Sequence, residues 1–141
     1  MTLDNIPIIE VERNELISKI RNLYSAEGYT FLTDLCGIHV TEPAERLGVV
    51  YHLHNLQQNK RVRIKSFAPK DDPVFPSLTV LFQSANWMER ETYDFFGINF
   101  TGHPNLIRIL NMEDMTYFPM RKEYPLEEDT RIDKDDTMFG R

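Results

Sequence analysis

Apolar residues recur at helical spacing near the start of the chain: Val11, Leu16, Ile17, Ile20, Leu23 and Tyr24, with Glu12, Arg13, Lys19 and Arg21 between them. Such a stripe predicts a helix over about 12–25, ended by Gly28. From Tyr29 to Val40, β-branched and aromatic residues predict a strand. Pro43 makes 41–47 a turn. Gly48 to Leu56 alternates in part and predicts a second strand. Arg61-Val62-Arg63-Ile64-Lys65-Ser66-Phe67 alternates cleanly and predicts a third, with one wet face. Asn59-Lys60 suits the hairpin turn before it. Residues 69–73 form a loop by composition, and Ser77–Gln83 is short and apolar enough to suit helix or strand.

A second helix is expected over Asn86–Phe96. Asn86 is placed as its N-cap, Glu89 three residues on completes a capping-box pattern, and Gly97 is a C-terminal stop. Two short apolar runs, Ile98-Asn99-Phe100 and Leu106–Leu110, flank a turn at 101–105. From Asn111 the pattern fades into a Pro-containing tail. A helix, a run of strands and another helix make an α+β layout with a mixed or mostly antiparallel sheet.

Composition narrows the function classes. A chain of 141 residues is one domain, and it buries enough surface to fold without staples. A net charge of −6 argues against nonspecific binding to nucleic acid or to an anionic membrane surface. One cysteine, Cys36, rules out an intrachain disulfide, argues against a Cys-based metal site and points to a reducing compartment. The N-terminus reads as no secretory signal, and no run approaches the ~18 apolar residues of a membrane span. Association with a membrane is therefore expected to be indirect.

The second helix carries most of the candidate chemistry. On a helical wheel Trp87, Arg90, Glu91 and Asp94 share one side, and Met88, Thr92, Phe95 and Phe96 another. Arg90 can pair with Asp94 four residues on, and Glu91 and Asp94 are neighbours. Two carboxylates in that relation suit either general acid–base work or a salt-bridged face that orients the helix. No nucleophile, phosphate loop or ligand cluster converges on them in sequence, so the structural reading is preferred. His52 and His54 share a strand face, but a zinc site takes three or four ligands. His103, in the turn, reads as a hydrogen-bonding loop residue.

The stretch Trp87-Met88-Glu89-Arg90-Glu91-Thr92-Tyr93-Asp94-Phe95-Phe96-Gly97-Ile98-Asn99-Phe100-Thr101-Gly102-His103-Pro104-Asn105-Leu106 resembles the signature of the 30-kDa subunit of respiratory complex I, the NADH-quinone oxidoreductase of bacteria. The likeness continues through Arg108-Ile109-Leu110 and Pro119-Met120-Arg121-Lys122-Glu123-Tyr124-Pro125-Leu126. Ile107 stands where the family commonly has a first basic residue, Tyr117-Phe118 where it often has Gly-His, and Met120 and Glu123 where it has Leu and Asp.

The resemblance implies a two-layer α+β sandwich over 1–110 and an extended C-terminal arm, 111–141, lying on the 49-kDa subunit. It implies a hydrophilic, non-catalytic subunit in the peripheral arm of a proton-translocating enzyme, on the cytoplasmic face of the bacterial inner membrane. FMN and iron–sulfur clusters would belong to partner subunits. In that frame Glu89, Arg90, Glu91 and Asp94 fix the helix and the start of the arm, and Arg121, Lys122 and Tyr124 anchor the arm on its partner. A membrane-bound hydrogenase-type complex shares the signature. A stand-alone carboxylate hydrolase using Glu91 and Asp94 is the rival from another class. The tail from Asn111 onward, with six acids against three bases over Glu127–Arg141, is expected to need a partner for order.

Overall fold

A computed structural model describes residues 6–125. Its main sheet has four strands: β1 (Ile8–Glu10), β2 (Phe31–Val40), β3 (Arg46–Asn55) and β4 (Lys60–Pro69), in the order β1-β4-β3-β2. β2–β3 and β3–β4 are antiparallel, and β1 joins β4 in parallel, so the sheet is mixed. Helices α1 (Leu16–Ala26) and α2 (Ala85–Phe96) complete the fold. A separate parallel pair, β5 (Val74–Pro76) and β6 (Asn99–Thr101), brackets α2.

The period-two pattern of β3 and β4 puts alternate side chains on the core face. Leu47, Val49, Tyr51 and Leu53 are buried there beside Val62, Ile64 and Ala68. Leu16, Ile20 and Leu23 line one face of α1 and join the same cluster with Phe75, Leu78, Phe82, Ala85, Ile98 and Phe100. The other sheet face carries Arg61, Arg63 and Lys65 of β4, the wet face that alternation implied. Asn59 takes a left-handed φ of 50° in the β3–β4 turn, and Asn55 Oδ1 accepts the Gln58 N–H to brace it.

Several boundaries differ from the sequence pattern. α1 begins at Leu16, because 12–15 forms a turn closed by Glu15 N–H to Glu12 O. Val11 is no part of the helix: its N–H extends the β1–β4 pairing to Lys65 O. β1 and β5 escape periodicity because three residues are too few to show a period. β3 starts at Arg46, inside the expected turn. Ser77–Gln83 is neither helix nor long strand but a series of turns. Among the described residues no helix is long and apolar enough to cross a membrane.

Candidate functional site: a clamp at the C-terminal end of α2

The N-terminus of α2 is built differently from the expected capping box. The capping residue is Ser84, and no side chain caps the helix. Glu89 instead turns inward and is 0% exposed. Its Oε1 accepts the Leu78 N–H at 2.6 Å, and Ser77 Oγ lies 2.7 Å from Oε2. Burial pushes its carboxyl up to about 7, against the Leu78 and Ser77 hydrogen bonds. The Ser77 hydroxyl donates to Oε2, and its oxygen accepts the Thr79 N–H and lies 2.8 Å from Thr79 Oγ1. The carboxyl thus holds the loop before α2 to the underside of the helix.

His103 lies alongside. Its Nδ1 accepts the Asn105 N–H at 3.0 Å, which leaves Nε2–H to donate to Asn86 O at 2.9 Å. Gly102, at φ 85°, and the exposed Pro104 shape the turn that brings His103 back onto α2. The ring is 4.0 Å from Glu89 Oε2 and both side chains are fully buried.

Asp94, also 0% exposed, organises the other end of the helix. Its Oδ2 accepts the N–H groups of Ile109, Leu110 and Asn111, and its Oδ1 accepts from Arg108 Nη1 at 2.8 Å and Asn111 Nδ2 at 3.1 Å. Burial raises this carboxyl. The Asn111 N–H, the Arg108 guanidinium, the Leu110 N–H and the Asn111 amide outweigh it and hold Asp94 well below the usual carboxylate range. Three consecutive amides taken by one carboxylate also explain why apolar 106–110 is irregular rather than a strand.

Arg108 extends the clamp. Beyond Asp94 it donates to Asp94 O, Met115 O and Tyr117 O. Its guanidinium lies 4.9 Å from the centre of the Phe118 ring, and Arg121 lies 4.9 Å from the same ring. Tyr93 meets that ring edge-on. Arg121 Nε donates to Phe96 O at 2.7 Å, and Met120 N–H to Phe95 O at 3.1 Å. Gly97 sits beneath, with φ 71°. A Cβ there would lie 2.6 Å from Phe118 and 2.7 Å from Arg121, so both backbone and space call for glycine.

The expected side-chain pairs rearrange accordingly. Arg90 does not pair with Asp94; it donates to Ile107 O and Arg108 O. Glu91 is exposed, whereas Asp94 is buried and its oxygens are taken, so the two carboxylates do not converge on a common site. Pro119 is half-buried, while Lys122, Tyr124 and Pro125 are exposed. The tail over 111–125 therefore carries contacts within the chain. Glu127–Arg141 lies outside the described residues.

Phe118 and Asn111 are clamp members that sequence reasoning passed over. Phe118 registered only as a departure from a family pattern, and Asn111 only as the point where periodicity ends. Among the described residues, no three His, Cys, Asp or Glu side chains group as a metal site would.

The family model of the respiratory-chain NADH dehydrogenase 30-kDa subunit matches residues 9–130. An NADH-quinone oxidoreductase subunit of Rhizobium meliloti is 46% identical over 99 residues, covering 70% of this chain and 49% of that one. Its counterpart from Citrifermentans bemidjiense is 39% identical over 119 residues, covering 84% of this chain and 74% of that one. The chain thus spans about half to three quarters of the length of these relatives. The solved structure of a trypsin-resistant fragment of Nqo5 superposes with a TM-score of 0.64 at 36% identity, covering 70% of this chain and 81% of that one. By the extent of the family match and by these identities, the chain belongs to the respiratory-chain NADH dehydrogenase 30-kDa subunit family.

Proposed function

We propose that the chain is a non-redox scaffold subunit in the peripheral arm of a proton-translocating NADH:quinone oxidoreductase. One observation carries this reading. Five charged residues of the signature bond the fold together: Glu89, Arg90, Asp94, Arg108 and Arg121 all bond backbone groups of the chain itself. Side chains so engaged shape a surface rather than turn over a substrate. Electrons would pass through FMN and iron–sulfur clusters held by other subunits. A cluster takes about four thiolate or Cys/His ligands, and this chain has one cysteine.

The partner in this reading is the 49-kDa subunit, at the cytoplasmic face of the bacterial inner membrane, with an arm beginning near Asn111. Lys122 and Tyr124 are the arm's exposed contacts. Arg121 acts one step back, by holding the arm to α2. Affinity capture of the tagged chain from detergent-solubilised membranes tests the assignment. Co-capture of the 49-kDa, flavin and iron–sulfur subunits, with NADH-to-quinone activity, is expected. Recovery of the chain alone, or with hydrogenase subunits, overturns it.

A further inference from the structure

His39 sits where the arm meets the sheet, and both ring nitrogens are committed. Its side chain is 1% exposed. Nδ1 accepts the Lys122 backbone N–H at 3.0 Å. A ring nitrogen that accepts carries no hydrogen, so the neutral imidazole has its hydrogen on Nε2. Nε2–H accordingly donates to Glu45 Oε1 at 3.1 Å. β2 supplies the ring, the β2–β3 connection the carboxylate and the arm the amide.

We propose that His39 is a proton-operated latch on the arm: the neutral ring seats the Lys122 backbone against the end of the sheet, and the doubly protonated ring releases it. With hydrogens on both nitrogens, Nδ1–H of a ring only 1% exposed faces the Lys122 N–H donor to donor. The bond cannot survive, and an amide left there without an acceptor is costly, so the arm moves away. The ring and the amide cannot both be satisfied until it does.

The charged surroundings leave the ring as the switch. Lys70, just after β4, bridges Glu45 and Glu123. Glu45 is 46% exposed and is held below the usual carboxylate range, chiefly by the Lys70 hydrogen bond and further by His39. It stays ionised at pH 5. Its pull on an imidazolium is blunted by Lys70 and by water. Arg121 Nη1 lies 3.9 Å from Glu123 Oε1, on the arm itself. α2 contributes the Phe95 and Phe96 carbonyls, which hold Met120 and Arg121. Arg46 of β3 lies over the Phe67 ring, and Phe67 belongs to the sheet face opposite the core. Opening is therefore confined to residues beyond Arg121. The clamp stays shut while the latch sets the direction in which the chain leaves the domain.

Hydrogen exchange on the full chain tests it, with rates corrected for intrinsic chemistry, at pH 8 and pH 5. Protection of the Lys122 amide is expected to fall about tenfold or more at pH 5, the scale of one lost hydrogen bond. Met120 and Arg121 should keep theirs. In His39→Asn, Oδ1 offers an acceptor near the Nδ1 position and gains no proton, so protection should not change with pH. Equal protection of Lys122 at both pH values in the unaltered chain overturns the latch, as does the same fall in His39→Asn. If that variant does not fold, the His39 ring nitrogens decide by NMR at pH 8: hydrogen on Nε2 supports the latch, and hydrogen on Nδ1 overturns it. Glu123→Gln should keep the pH response; losing it would move the switch to the Lys70 pair and overturn the assignment to His39.

Discussion

Glu89 and Asp94 are both fully buried carboxyls on one helix, and their environments drive them in opposite directions. Glu89, raised from the usual 4.5 to about 7, holds its proton to higher pH folded than unfolded. Its contribution to stability is full below about 4.5 and is lost as pH rises through about 7, a span worth about 3 kcal/mol. Glu89→Gln should remove that decline, so the variant's unfolding free energy changes less than the parent's between pH 5 and 8. Glu89→Ala strands the Leu78 N–H and the Ser77 hydroxyl and should cost about 2–4 kcal/mol in urea unfolding. Asp94 behaves oppositely. Its contribution is present above the unfolded value near 3.8 and is lost as pH falls towards its depressed folded value. Asp94→Ala leaves Arg108, itself only 8% exposed, without its partner and should cost roughly 3–5 kcal/mol. A loss under 1 kcal/mol would show that the clamp contributes little to the fold.

At the scale of elements, the strongly periodic segments were legible and the short or side-chain-organised ones were not. α1, β2, β3, β4 and α2 each carry enough residues to show their period. Gly97 was recognisable as a stop, and it ends α2 in a left-handed conformation with its N–H on Tyr93 O. The misplaced cap has a physical cause: a glutamate three residues past an asparagine fits a capping box, but tertiary burial took that carboxylate to another loop. Segment 106–111 has strand-like composition, yet the amides a strand would pair are held by Asp94, a partner distant in sequence. Gly97→Ala tests how tightly this end is built. It meets both an unfavourable φ and the Phe118 ring, so a loss of about 1–3 kcal/mol is expected, with exchange protection falling first at Met120 and Arg121. Unchanged protection there would separate the helix stop from the arm's seating.

Across the whole molecule, the family was legible from two blocks of sequence, whereas the way they meet was not. Residues 87–110 and 119–125 are separate blocks with 111–118 between them, and only the fold shows Arg108 and Arg121 lying against one phenylalanine. Arg121 looked like a surface contact because its acceptor, the Phe96 carbonyl, carries no signal in sequence. For the assembly, this divides the arm: Arg121→Glu should loosen the domain itself, while Lys122→Glu, at an exposed side chain, should leave the melting temperature of the free chain within about 2 °C and reduce yield of the assembled complex. Native gels and thermal melts on both variants distinguish the two. In this account Glu89, one of the two buried carboxyls of α2, holds a fold and handles no proton or hydride for the reaction. NADH-to-quinone turnover per assembled complex in Glu89→Gln tests it most directly. A structural Glu89 predicts turnover within about twofold of the parent; a fall of ~10²–10⁴ at normal assembly, the scale of lost general acid–base catalysis, would contradict it.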